Sequence, residues 1–331
     1  MIKWQAWRRE LALAAIIVAL MLTVGARAPV FLTSGNLLDI LDESSILAIL
    51  VVGEMFVLIT RGVDLSVAAN LALTGMVCAL AGKAMPGLDT PALIALALAC
   101  GAALGAINGL LITRFGLPAI VVTLGTMSAY RGAIFVASHG AWVSDQDIHP
   151  AIKGFPREHF LGLSALVWTA LLVLVAAAVF LRWRREGREL YALGGNLVAS
   201  FYVGIPLRRR FMLAYTLSGM LAGLAGLLWV GRYSIAFTEL ASGYELTVIA
   251  ACVIGGVSIN GGVGGVVGAL LGVLFLGVVN GALPVARVSP FWQQAIAGAV
   301  ILLSVIFNAR AEKRAGRQIL DPHAPVAGAP A

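Results

Sequence analysis

Residues 208–232 read RRRFMLAYTLSGMLAGLAGLLWVGR. Three arginines open the stretch, one closes it, and the 21 residues between them carry no charge. A helix needs about 20 apolar residues to cross a bilayer, so the run predicts a membrane span over 211–231. The rest of the chain resembles it. Hydrophobic residues make up 60% of the 331 and charged residues 12%, against about 45–50% and 25% in soluble domains. That excludes a soluble globular enzyme, a disordered chain and a nucleic-acid-binding module. The net charge of +7 then reads as a topology signal in the loops.

Apolar runs bounded by charge and turn residues predict ten spans: 9–26, 37–60, 65–82, 91–113, 118–137, 163–181, 211–231, 245–259, 264–282 and 291–308. The expected fold is an all-α integral membrane protein of about ten transmembrane helices. Lys3, Arg8 and Arg9 before an apolar run ending at Ala26-Arg27-Ala28 also fit a cleaved signal peptide. Pro29 after the cut, and the many spans that follow, favour a first span. With the N-terminus in the cytoplasm, sixteen of the 23 lysines and arginines fall on the inner side and six on the outer. Arg131 falls within a span. This bias puts both termini inside. Six of the seven tryptophans sit near span ends, as an interfacial belt requires.

A weak repeat appears at a shift of 172 residues. Gly105-Ala106-Ile107-Asn108-Gly109 matches Gly277-Val278-Val279-Asn280-Gly281, and Leu111 and Pro118 match Leu283 and Pro290. Spans five apart cross in opposite directions, so the chain reads as two inverted five-helix halves, a common transporter plan. Gly101, Gly105 and Gly109 share a helix face, as do Gly264, Gly268 and Gly272. Close helix packing accounts for both stripes, and the alternative is that these backbones line a path or slide during gating. Cys78, Cys100 and Cys252 lie in apolar runs without a CxxC partner, so neither a disulfide framework nor a metal site is expected.

The longest charged inner segment is 182–210, RWRREGRELYALGGNLVASFYVGIPLRRR. Basic residues there hold topology. Between them lie Leu190, Tyr191, Leu193, Val198, Phe201, Tyr202 and Val203, with Gly194-Gly195 breaking the stretch into two short helices. An amphipathic pair on the inner face is a docking element for a soluble partner. The chain has no Walker-type phosphate loop, because its one Gly-Lys pair, Gly82-Lys83, is followed by alanine. Ionisable residues in spans are costly and mark candidate function. Arg61 and Asp64 fall in a tight inner turn and read as a local pair. Glu54 and Arg131 lie deeper, and can pair, face a watery path or touch polar substrate. Asn108 and Asn280 join Glu54, Asp64 and Arg131 as pathway or gating candidates. The outer loop 138–162 reads as a solvated or partner-landing surface, and the tail 311–331 as disordered.

Four ordered blocks carry a family resemblance. RGVDLSVAANLALTG (61–75) is similar to a G-I-D-L-S-V-G turn and helix. PAIVVTLGTMSAYRG (118–132) resembles P-A-F-I-x-T-L-G-T. GRELYALGGN (187–196), with Val203-Gly204-Ile205, resembles G-R-x-x-Y-A-x-G-G-N…G-I. Gly243-Tyr244-Glu245-Leu246 and IGGVSINGGVGG (254–265) resemble G-x-E-L…V-I-G-G-x-S-x-x-G-G-x-G. The chain thus resembles permease subunits of bacterial carbohydrate ABC importers, the ribose/xylose/autoinducer-2 class. Residues 229–237 and 282–293 look most like rhamnose-type permeases, and autoinducer-2 permeases come next. Arg61 and Ala68 stand where the family usually has glycine.

The resemblance implies one permease domain over 1–310 in the bacterial inner membrane. Its partners would be a second permease chain (an identical copy or a related one), two ATPase subunits and a periplasmic sugar-binding protein. Arg188, Tyr191, Gly194, Gly195, Asn196 and Gly204 would couple it to the ATPase. It implies no covalent chemistry and no cofactor. The competing expectation is an ion-coupled secondary transporter using Glu54 or Asp64.

Overall fold

The computed structural model describes residues 2–285 and, beyond them, positions 289, 292, 295, 298, 299 and 302; side chains are described from Arg8 onward. Most of the tenth expected span and the whole tail 311–331 lie outside the described residues. In lipid every backbone polar group must be satisfied within the chain, and the segments are accordingly helical. They are α1 (Ile2–Arg27), α2 (Ser34–Ile59), α3 (Val67–Ala84), α4 (Thr90–Phe115), α5 (Ala119–Ser138), α6 (Pro150–Arg157) and α7 (Ala165–Trp183). Then follow α8 (Arg185–Gly195), α9 (Leu197–Tyr202), α10 (Leu207–Tyr233), α11 (Tyr244–Ile254) and α12 (Val266–Val285). A two-residue hairpin, His159–Phe160 with Leu163–Ser164, precedes α7.

Seven of the described helices are long and apolar enough to cross a membrane: α1, α3, α4, α5, α7, α10 and α12. The 26-residue α2 is as long but carries Asp39, Asp42, Glu43 and Glu54. It is nevertheless the centre of the molecule, buried continuously from Ser44 to Ile59. Helices α3 and α10 complete that centre, while α1, α4, α5 and α7 flank it with exposed apolar side chains such as Leu11, Val121, Val136 and Leu172.

The eighth expected span, 245–259, is short for a crossing, and the structure shows it broken after Ile254. Helix α11 has 11 residues, about 16 Å at 1.5 Å per residue, short of a 30 Å core. Residues 255–265 continue as irregular chain with Gly256, Gly261, Gly262 and Gly264 at positive φ. Gly264 therefore precedes α12 rather than sharing its face with Gly268 and Gly272.

The 172-residue shift has a spatial counterpart. A Cβ on Gly105 would meet the Tyr215 carbonyl of α10, and one on Gly277 would meet Ser44 of α2. So α4 crosses α10 as α12 crosses α2, each glycine helix packing on the long helix of the other half. The α4–α10 crossing interleaves Gly101 and Gly105 with Gly219 and Gly223, where an added Cβ would strike backbone. Small residues there let the helices approach closely.

Candidate functional site

Four contacts gather at one end of the bundle, here termed the basic end. Gly262 N–H donates to Ile59 O at 2.9 Å, closing the end of α2 on the 255–265 segment. Arg61, at φ 67°, donates from Nε to Gly194 O at 2.7 Å and from Nη2 to Gly195 O at 3.0 Å. Tyr191 OH donates to Gly264 O at 2.9 Å. Arg9 donates to Val253 O at 3.2 Å.

Segment 182–210 does form two short helices, and they face opposite ways. Leu190 and Leu193 of α8 are fully buried. Glu189, also buried, accepts from Arg185 at 2.6 Å and from Arg210, tying α8 to the start of α10. Burial opposes its charge, but those two hydrogen bonds hold the Glu189 carboxyl below the usual carboxylate range. A Cβ on Gly194 would collide with the Ile59 carbonyl, whereas Gly195 has open space. Asn196 ends α8 and caps α9, its Oδ1 accepting from Ala199 N–H at 2.9 Å. Arg188 donates to Trp183 O at 2.9 Å at the end of α7. Gly204, at φ 79°, turns the chain back toward α10. Helix α9 and its exit stay outside, with Val198 65%, Phe201 66%, Tyr202 82% and Val203 76% exposed.

Above this junction runs a buried polar circuit. Glu54, fully buried, accepts from Asp64 N–H at 3.1 Å. Ser66 donates through its N–H at 2.9 Å and its Oγ at 2.6 Å to Asp64 Oδ1. Asn108 Nδ2 donates to Ser66 Oγ, and Thr126 Oγ1 to Asn108 Oδ1, both at 2.7 Å. The 61–66 turn is thereby joined to α4 and α5. Arg61 and Asp64 are not paired with one another: one reaches α8 and the other turns inward. Ser66 and Thr126 belong to the quoted sequence blocks, but composition gave no hint that their side chains meet Asn108.

Glu54 and Arg131 do not pair either. Arg131 Nη1 donates to Thr238 O at 3.0 Å and Leu240 O at 2.6 Å. Those carbonyls belong to an irregular segment between α10 and α11. Asn280 sits apart from the circuit, lining a polar crevice with Asn36, Asp39 and Glu43. At this opposite end Arg232 bridges Asp39 at 3.5 Å and Asp42 at 3.2 Å. Lys83 pairs with Asp147 at 3.0 Å.

Residues 36–305 match the family described as the branched-chain amino acid transport system permease component. The chain belongs to this permease family. It is 38% identical over 308 residues to the ribose import permease protein RbsC of Escherichia coli K12, covering 92% of this chain and 95% of that one. It is 37% identical over 317 residues to the autoinducer 2 import system permease protein LsrC of Enterobacter sp. 638, covering 95% and 89%. The Salmonella typhi LsrC is 33% identical over 311 residues, covering 94% and 88%. No solved structure matches.

Proposed function

We propose that this chain is the membrane-spanning permease of an ATP-driven importer whose substrate is ribose, autoinducer-2 or a similarly small polar molecule. The relatives named above import ribose and autoinducer-2, which favours these substrates over the rhamnose suggested by 229–237 and 282–293. The permease carries no covalent chemistry. Its basic end faces the cytoplasm of a bacterial inner-membrane protein, as the lysine and arginine bias requires.

The observation that carries the reading is the division of labour between α8 and α9. Exposed aromatic and branched side chains on a cytoplasmic tip are an unfilled interface, and α9 offers Val198, Phe201 and Tyr202 to an ATPase subunit. Helix α8, buried against the permease and held by Arg61, passes the ATPase movement inward. The coupling set is then Arg188, Tyr191, Gly194, Gly195, Asn196 and Gly204, with α9 supplying contact area. Two permease chains enclose the pathway, two ATPases act beneath, and a periplasmic binding protein docks at the opposite end.

Proteoliposomes holding the permease, the ATPase and the binding protein test this. Ribose or autoinducer-2 with its binding protein is expected to stimulate ATP hydrolysis and uptake together. Uptake driven by a proton gradient without any ATPase would overturn it, and would favour ion coupling through Glu54 or Asp64.

A further inference from the structure

A groove runs along the flank of the bundle where α4 and α7 stand apart over α10. It encloses about 370 Å³, and every side chain lining it is apolar. Leu213, Leu217 and Leu221 form its floor, Phe180 and Ala176 one wall, and Leu98 the other. The groove lies within membrane-spanning helices and Leu172 at its rim is 70% exposed, so a hydrocarbon, not water, is its natural filling.

Its end near the basic face differs. The floor residues recur every four positions, and four residues before Leu213 is Arg209. Residues four apart share a helix face, so Arg209 sits one turn below the floor, at the mouth. Arg208 is its neighbour, and both are exposed. Among the described residues neither forms an ion pair. Of the other arginines nearby, Arg185 and Arg210 pair with Glu189 and Arg184 with Glu186, Arg188 donates to the Trp183 carbonyl, and Arg182 lines a separate crevice with Glu10 and Tyr191. From Leu213 to Leu224 the floor rises about 17 Å, close to one leaflet of a core about 30 Å thick. A single acyl chain fits that length, with its headgroup at the arginines.

We propose that this groove binds one acyl chain of an anionic phospholipid in the leaflet at the basic end, with Arg209 and Arg208 holding the phosphate. Basic pockets between transmembrane helices suit anionic headgroups. The proposal does not depend on which sugar is carried.

The test uses the full-length protein in detergent, with phosphatidylglycerol or phosphatidylcholine of identical chains added, and bound lipid counted by native mass spectrometry. Phosphatidylglycerol is expected to be retained in preference. Replacing Arg208→Gln and Arg209→Gln together should lower its retention about fivefold for each arginine lost, without changing phosphatidylcholine. Ala176→Phe, which fills the groove, should reduce retention of both lipids. If that variant fails to fold, Leu172→Trp supplies the readout: brominated-chain phosphatidylglycerol should quench the added fluorescence more than the brominated choline lipid. Equal retention in wild type and the double arginine variant would overturn the proposal, as would equal quenching. Millimolar inorganic phosphate abolishing the preference would assign a free-anion site instead. Ready disulfide formation between copies carrying Leu172→Cys would assign the groove to a second permease chain. Either result also overturns it.

Discussion

Arg61 bonds the last two carbonyls of α8, Gly194 at 2.7 Å and Gly195 at 3.0 Å. A helix leaves its final carbonyls without internal partners, and a guanidinium there satisfies them and opposes the helix dipole. Arg61 does this from φ 67°, a left-handed conformation that costs a non-glycine residue about 1–2 kcal/mol. Glycine would adopt the turn more easily but could not reach α8. Arg61→Gly should therefore relax the turn and release the clamp. Molecules imported per ATP hydrolysed are expected to fall about tenfold, equivalent to about 1.4 kcal/mol, with membrane insertion intact. Unchanged coupling in proteoliposomes would show that the clamp does not transmit movement.

The two glycines held by Arg61 are not equivalent. A Cβ at position 194 would strike the Ile59 carbonyl and crowd Gly262 N, while position 195 has nothing within 4 Å. Gly194→Ala must separate α8 from the end of α2, because backbone on both sides cannot yield. Gly195→Ala has only helix propensity to gain, of about 1 kcal/mol. Gly194→Ala is expected to abolish uptake and ATPase co-purification, and Gly195→Ala to leave both near wild type. The sequence treats the pair as one hinge, so equal losses at the two positions would return it to that role.

Much of the bundle is legible in the sequence because lipid imposes one rule on every span: a long apolar run closed by charge. The rule marks α10 from Arg210 to Arg232, places α4, α5, α7 and α12 to within a few residues, and finds the end of α1 but not its start at Ile2. It runs the eighth span five residues too far, to 259, because Val257 and Ile259 extend the apolar run while the chain leaves the helix at Gly255 and Gly256, the latter at positive φ. Apolar composition reports burial in lipid or protein and not backbone conformation. The site is less legible for a related reason. Glu54, Asp64, Asn108 and Arg131 stand out as polar residues in apolar surroundings, but their partners do not. Arg131 binds two carbonyls, which have no sequence signature, and Ser66 and Thr126 are too common in helices to be noticed.

The circuit through Asn108 joins three elements by its one side-chain amide. Replacing it by alanine removes the donor to Ser66 Oγ, which keeps only its bond to Asp64, and leaves Thr126 Oγ1 only the Thr123 carbonyl at 3.3 Å. A buried polar group left unsatisfied costs about 1–3 kcal/mol. Asn108→Ala should lower the thermal midpoint in detergent by several degrees. Asn280→Ala, at the matching repeat position but half-buried beside a crevice, should change it little. Equal shifts would mean that the repeat, not the circuit, sets the value of Asn108.

Glu189 predicts a pH dependence outside the membrane. Its pKa is held down in the folded protein from the ordinary 4.5. A group with a depressed folded pKa contributes stability above its unfolded pKa and loses it as pH falls through the folded one. Docking of α8 should therefore be constant from about pH 6 to 8 and weaken only below the ordinary carboxylate range. Hydrogen exchange across α8 would measure it. Glu189→Gln at neutral pH should reproduce the acid behaviour, and exchange that rises instead toward alkaline pH beyond its intrinsic rate would contradict the assignment.

Arg131 holds the segment between α10 and α11. Ala236 and Leu240 there are buried, and Ala236 exchanges backbone hydrogen bonds with Val143 at 2.9 Å. The carbonyls of Thr238 and Leu240 face α5 and are satisfied by one guanidinium nitrogen. Arg131→Leu keeps an apolar stem but strands both carbonyls, at about 1–3 kcal/mol each if they remain buried. Arg131→Lys keeps a donor with a different reach and should recover part of the loss. The expected order of thermal midpoints is wild type, lysine, leucine, with the 234–243 segment cut faster by protease in the leucine variant. If all three melt together and resist protease alike, water already serves those carbonyls, and the arginine must be retained for contact with substrate.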